Sequence, residues 1–391
     1  MKKRYKILFI QPIASFSGSL KSSEEYIKNL YKKFDFIFLT QNGYSQKILK
    51  KYGKVFSTYG ICKFDNTKNS HYVGLRWFLI LREILYFFFT FIKFLKIKLL
   101  NHEINLIHMN EITGLPTAII AKLIFQKPLI IHARTLNYKN DKSLVSKIYL
   151  KILSKFADKI LAIDKDVFST IHIKKKTLVL RNILDLNFNF KKRKISKNEI
   201  LNVGYIGTFL KYKGVEILIR ATEELILKGY KIRLILAGSS IKRRFFLERI
   251  FNFLNVENNI NPKFLKKKFI KNLGFVKNIK NFYSKIDILC FPSSLNATGR
   301  QIFEAGMFSI PVIVCMKSSK NDGVKNNHNG LIYNNFHSTK ELQKRILKFY
   351  YNRNLIKIMG NKGKKIALQR NTKNYNINKL ISIYNNLINN S

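Results

Sequence analysis

The sequence predicts an α/β protein of two domains, each a parallel β-sheet covered by helices on both faces. Three observations carry this. The chain has 391 residues, enough for two cores of ordinary size. Short, continuously apolar runs alternate with longer amphipathic stretches, as strands buried on both sides require. The alternation pauses once, in the basic stretch around 186–198, and then restarts with LNVGYIGTF, which reads as a second first strand.

In the first half the strand candidates are Lys6–Ile10, Phe36–Leu39, Leu106–Met109, Leu129–His132, Lys159–Ile163 and Leu178–Leu180. The opening MKKRYKILFIQPIAS has the basic start of a secretion signal. Its apolar core, Ile7 to Ile10, stops at Gln11 and Pro12, which is too short for one, so a buried strand is expected. In the second half the candidates are Leu201–Ile206, Ile232–Ala237, Asn272–Phe275, Asp287–Phe291 and Pro311–Cys315. The domains expected are 1–190, 191–370 and a closing helix over 371–391. In that helix Tyr375, Ile377, Leu380, Ile381 and Tyr384 fall near helical spacing.

One stretch, Leu75 to Leu100, is unusually apolar. Arg82 and Glu83 interrupt it, and its longest uncharged run, Ile84–Ile92, is too short to span a bilayer. Two readings stay open: a core-facing helix of the first domain, or an amphipathic helix partly seated in a membrane surface beside Lys93, Lys96 and Lys98. Composition bears on the same question. With 72 basic and 22 acidic residues the formal net charge is +50, which attracts polyanions. Lys, Asn, Ile, Phe and Tyr are abundant together, as AT-rich codons produce, and no nucleic-acid-binding module is present. Nucleic acid is therefore not expected as a partner. Cys62, Cys290 and Cys315 form no CxxC pair, which points away from a disulfide framework or structural zinc and toward a reducing compartment.

Two segments carry candidate chemistry. In FPSSLNATGRQIFEAGMFSIPVIVC, Phe291 to Cys315, a strand leads through small polar residues to a helix starting near Thr298, Gly299 and Arg300. A helix N-terminus presents free backbone N–H groups and a positive dipole end to an anion. Glu304 lies one turn further, placed to accept from sugar hydroxyls. The plainer alternative is a strand–loop–helix with a surface glutamate. In GYIGTFLKYKGVEILIRA, Gly207 ends a strand and Lys213-Gly214 opens a helix, giving close backbone approach and a point charge for phosphate. This is neither a complete dinucleotide fingerprint nor a Walker A loop. Asp164-Lys165-Asp166 has the spacing of a metal-binding DxD pair, but it follows a strand and precedes VFSTI, so a helix N-cap is the simpler reading.

In this order the pieces resemble glycosyltransferase family 4, retaining enzymes of the GT-B fold, over nearly the full length. The resemblance rests on Gly207-Thr208, Lys213-Gly214, LILAGSS, LGFV, Asp287 to Ser293, Glu304-Ala305, SIPV and Asn329-Gly330-Leu331 in the second half. In the first half it rests on FSGSL, KPLIIHAR, ADKILAIDKD and LRN. It implies two Rossmann-like domains with parallel sheets facing a central cleft. It also implies transfer of a sugar from a nucleotide-diphosphate sugar to a glycan or lipid-linked acceptor, in surface polysaccharide synthesis such as lipopolysaccharide or capsule. The residues implied for catalysis are His132, Lys213 and Glu304. Those implied for the donor are Gly18, Gly207, Thr208, Lys213, Asn296, Thr298, Gly299, Arg300 and Glu304. Neither cofactor nor metal is expected, because positive charge on the protein stands in for a cation.

Two departures from the family pattern stand out. Thr208 replaces an arginine, and Asn296 replaces the first of two glutamates spaced eight apart, the second being Glu304. Arg300 is expected to replace the missing positive charge. The competing readings are a GT-B sugar-nucleotide epimerase and a non-catalytic basic protein binding membrane surfaces or nucleic acid. The expected location is the cytoplasm, peripheral at the inner face of the cell membrane.

Overall fold

The computed structural model describes residues 4–68, 72, 74–100, 103–137, 143–184, 199–240, 259–317 and 323–391. The chain divides into two units, Met1–Asp185 with Thr372–Ser391, and Leu186–Asn371. The basic stretch around 186–198, where the domain boundary was expected, lies outside the described residues.

The first unit is built on a seven-stranded, all-parallel sheet in the order β3-β2-β1-β4-β5-β6-β7. Its strands are β1 Lys6–Gln11, β2 Asp35–Gln41, β3 Gly53–Thr58, β4 Leu106–Met109, β5 Leu129–Ala133, β6 Lys159–Ala162 and β7 Thr177–Val179. The central strands are buried along their whole length, which is why they read as unbroken apolar runs. One face carries α1 (Gly18–Leu30) and α2 (Tyr44–Leu49). The other carries α3 (Leu79–Leu99), α4 (Leu115–Phe125), α5 (Leu144–Phe156) and α6 (Lys165–Ser169).

The second unit has a six-stranded parallel sheet in the order β10-β9-β8-β11-β12-β13. These strands are β8 Leu201–Ile206, β9 Ile232–Ala237, β10 Ile270–Asn272, β11 Ile288–Phe291, β12 Val312–Cys315 and β13 Gly330–Tyr333. Helices α7 (Val215–Leu227) and α10 (Thr339–Tyr351) pack on one face, and α8 (Lys280–Tyr283) and α9 (Arg300–Met307) on the other. Helix α11 (Asn354–Arg370) follows. The closing helix α12 runs over Lys373–Asn389, within the expected 371–391. It joins the first unit, its Ile377, Leu380, Ile383 and Tyr384 entering the core beside α1.

The strand differences lie at sheet edges. β3 was not foreseen, because GKVFST is half polar and pairs on one side only. β13 was not among the expected strands either; Gly330 and Leu331 of the Asn329-Gly330-Leu331 motif are its first residues. The expected strand Asn272–Phe275 is corrected to Ile270–Asn272, since Gly274 takes the left-handed backbone (φ +62°) and ends the extended run. The candidate Leu178–Leu180 is shifted by one to Thr177–Val179.

Candidate functional site

In an open parallel sheet, ligands sit beyond the carboxyl ends of the strands, where the strand order reverses. In the second unit that point falls between β8 and β11, and the two candidate segments meet there. The turn after β8 runs through a short 3-10 turn, Lys211–Lys213, into Gly214 and α7. It is stitched to the loop after β11, because the Ser294 N–H donates to the Tyr212 carbonyl at 3.0 Å. Gly214 has φ +76°, and a Cβ there would lie 1.9 Å from the Pro292 carbonyl oxygen, so a side chain at 214 would force the two loops apart.

Phe291, the last residue of β11, organises the spot. The Lys213 ammonium stands 5.9 Å from its ring centroid and 5.3 Å from that of Tyr212. A Cβ built on Gly299 would lie 2.8 Å from the far edge of the same ring. One aromatic side chain therefore brings the Lys213 cation and the N-cap of α9 together. Burial among these rings lowers the Lys213 pKa to about 8. Gly299 is the N-cap of α9 and, having no side chain, makes no side-chain capping hydrogen bond; a helix N-terminus of this kind carries a positive dipole end. Thr298, just before it, is buried.

Glu304 sits on the second turn of α9 and is buried. Its Oε1 accepts from Arg300 Nε at 2.8 Å and its Oε2 from the Tyr283 hydroxyl at 3.2 Å. The pair is well shielded, with side-chain exposures of 11% for Arg300 and 5% for Glu304. The Arg300 charge is thus paired with Glu304 through Nε, on the same helix face as the Gly299 N-cap. Asn296 takes the left-handed backbone (φ +55°), which asparagine tolerates, and its Oδ1 accepts from the Lys317 N–H at 2.8 Å. Thr208 is exposed, and its carbonyl takes the Tyr205 hydroxyl at 2.8 Å. Gly207 lies against the neighbouring loop: a Cβ on Gly238 would fall 1.8 Å from the Gly207 carbonyl oxygen.

In the first unit the order reverses between β1 and β4, and a polar cluster is buried there that sequence reasoning saw only in part. His132, next to last in β5, lies beside His108 of β4, with ring centroids 5.4 Å apart. Arg134 Nη2 lies 3.3 Å from His132 Nδ1. A guanidinium has no acceptor, so Nδ1 accepts and the ring proton belongs to Nε2. Burial and the Arg134 charge hold His132 well below the ordinary histidine value, so it is neutral. Its Nε2 is buried and has no partner among the described residues. Arg134 also donates to Asn110 at 2.7 Å and Asn182 at 2.9 Å, and the Asn110 amide meets Gln11 at the end of β1. Glu111 accepts from the Ile112 N–H at 2.9 Å and the Thr135 hydroxyl at 3.0 Å, while burial raises its pKa. His108 Nδ1 meets the Tyr384 hydroxyl of α12 at 2.6 Å.

Gln11, Asn110, Glu111 and His108 carry no local motif; only their position at strand ends marks them. Gly18 is the first residue of α1, capped by the Ser17 hydroxyl, and a Cβ there would meet nothing within 4 Å. Asp164 accepts from the Val167 N–H at 2.7 Å as the N-cap of α6.

Two Rossmann-like units, each on a parallel sheet, define the GT-B architecture. Solved structures agree with it over nearly the whole chain. Anabaena HepE, in complex with UDP and glucose, matches with a TM-score of 0.70 at 18% identity, covering 97% of this chain and 98% of that one. Sucrose-phosphate synthase from Thermosynechococcus elongatus matches with a TM-score of 0.70 at 14% identity, covering 99% and 100%. Residues 187–366 match the family model described as Glycosyl transferases group 1. The capsular polysaccharide biosynthesis glycosyltransferase CapM of Staphylococcus aureus is 25% identical over 292 residues, 69% of this chain and 73% of CapM. An uncharacterized glycosyltransferase of Methanocaldococcus jannaschii is 26% identical over 274 residues, 68% of this chain and 70% of the relative. Together these matches support group 1 glycosyltransferase activity.

Proposed function

We propose that the protein transfers a hexosyl group, with retention and without a metal ion, from a nucleotide-diphosphate sugar to a glycan or lipid-linked acceptor in surface polysaccharide synthesis. The observation that carries the reading is the convergence of Lys213 and the uncapped Gly299 helix end on the Phe291 ring. A diphosphate placed there meets a cation and the positive end of α9 in a partly desolvated setting, where such interactions are strongest. Stabilising the departing diphosphate is then the main catalytic contribution, and no protein nucleophile is needed. Glu304, held by Arg300 and Tyr283, accepts from the ribose hydroxyls. His132, neutral with its proton on Nε2, serves as a hydrogen-bond donor rather than a base.

The sequence similarity to CapM supports a capsule-type product. UDP is the first nucleotide to try, since it is bound in the HepE structure. The test is a thermal-shift screen of the full chain against UDP-, GDP-, ADP- and CMP-sugars, repeated with Glu304→Ala and Glu304→Gln. A donor at one hundred times its Kd stabilises the fold by about 2.7 kcal/mol. A shift for one base, lost in both variants, supports the reading. No shift with any donor sinks it.

A further inference from the structure

A different face of the molecule points to a second property, independent of sugar transfer. Helix α3 buries Leu79, Glu83, Thr90, Phe94 and Ile97; Phe94 and Ile97 enter the core on the first sheet, while Glu83 and Thr90 accept from the backbone N–H groups of Lys63 and Cys62. Its opposite side should be polar in an ordinary surface helix. Instead it presents Leu81, Leu85, Phe88, Ile92, Leu95 and Leu99, between 39% and 81% exposed. Their spacing of four and three places them within an arc of about 80° at 3.6 residues per turn. Lys93 and Lys96 border one side of that arc and Lys98 the other.

The apolar surface continues across the same helix layer. Lys98 Nζ donates to the Ile124 carbonyl of α4 at 3.0 Å, next to Leu123, which is exposed. Lys122 of α4 in turn donates to the Phe156 carbonyl at the end of α5, at 2.8 Å. On α5, Leu144, Ile148 and Ile152 repeat at four-residue spacing and are exposed, with Lys147, Lys151 and Lys155 exposed beside them. A patch of this extent, rimmed by cations, marks a binding surface.

We infer that the outer face of α3, α4 and α5 seats the protein in the plane of an anionic lipid bilayer. Leu, Ile and Phe enter the acyl boundary, while Lys93 and Lys96 on α3 and Lys147, Lys151 and Lys155 on α5 extend their stems along it and place their ammonium groups among headgroup phosphates. Charge decides between this partner and a second copy of the chain. The spacing would suit a helix–helix seam, but pairing two copies would set lysine against lysine along both flanks, in a chain whose net charge is already +50. An anionic surface reverses the sign of that interaction. Among the described residues no helix is long and apolar enough to cross a membrane, so the mode proposed lies in the plane of the bilayer.

The test is co-sedimentation of the full chain with vesicles of equal phosphatidylcholine and phosphatidylglycerol, and with phosphatidylcholine alone. The wild type is expected to bind the anionic vesicles. The triple variant Leu85→Gln, Phe88→Gln, Ile92→Gln should lower the partition coefficient on the order of a hundredfold, with an unchanged melting temperature because all three side chains are exposed. Lys93→Glu with Lys96→Glu, which leaves the apolar arc intact, should weaken binding to the anionic vesicles alone. Three results would overturn the inference: a wild type that stays in the supernatant at low salt, a triple variant that binds as the wild type does, or a wild-type dimer that the triple variant turns into a monomer.

Discussion

Raising the pH from 7 to 9 should weaken nucleotide-diphosphate binding before any other part of the donor site changes charge. Lys213 has its pKa lowered to about 8 by burial beside Tyr212 and Phe291. Its charged fraction then falls from about nine-tenths at pH 7 to about one-tenth at pH 9, and affinity should drop close to tenfold if the ammonium holds the diphosphate. The nucleotide's own phosphate ionises near pH 6 and contributes nothing to this window. Bound diphosphate favours the charged amine, so binding near pH 9 should also take up protons. Stability runs the other way. The folded pKa lies below the unfolded one of 10.5, so the unfolded chain holds more protons between about 8 and 10.5. The contribution of this group to stability therefore rises with pH across that window. Isothermal titration of the nucleotide diphosphate that stabilises the fold, at half-unit steps of pH, reads the affinity directly. Lys213→Arg, whose guanidinium stays charged, should bind with little pH dependence, and Lys213→Met should bind weakly throughout. A wild-type affinity flat from pH 7 to 9, or the same slope in Lys213→Arg, would refute the assignment.

Other outcomes follow from the same geometry. Glu304→Gln keeps an oxygen for Arg300 and should stay folded while losing donor affinity, whereas Glu304→Ala strands a shielded guanidinium and should also lower the melting temperature. Gly214→Ala forces a side chain into a left-handed backbone against the Pro292 carbonyl and should cost about 2 kcal/mol or more, read by urea denaturation. Tyr384→Phe removes the hydroxyl that meets His108 Nδ1 and should cost about 1–3 kcal/mol in the same assay; no loss would argue against a structural part for that contact. His132→Ala should lower kcat with donor binding retained, and an unchanged kcat would remove His132 from the transfer step.

The sheet edges show where local sequence stops being informative. Central strands such as β1, β4, β5 and β8 are buried on both faces, so their apolar runs are visible without knowing the fold. Edge strands β3 and β10 pair on one side, carry few buried residues, and were missed or misplaced; β13 is buried but only four residues long. In the second unit the loop-to-helix positions of Gly207, Lys213-Gly214, Gly299 and Glu304 were legible, because glycine marks turns at strand ends and helix starts.

What the sequence by itself determined is the two-sheet α/β class, the candidate donor residues and the amphipathic ambiguity of α3. Only the tertiary structure decided three further points. Arg300 pairs with Glu304, since one helical turn sets their side chains at hydrogen-bond distance in a shielded place. Gln11, His108, Asn110, His132, Arg134 and Tyr384 form one buried cluster, because parallel crossovers and the closing helix α12 bring distant residues to the same strand ends. On α3, finally, the residues apolar all round the helix left its buried side undetermined. Packing on the sheet and on the Cys62–Lys63 segment selects Leu79, Glu83, Thr90, Phe94 and Ile97, and that choice leaves Leu85, Phe88 and Ile92 on the outside.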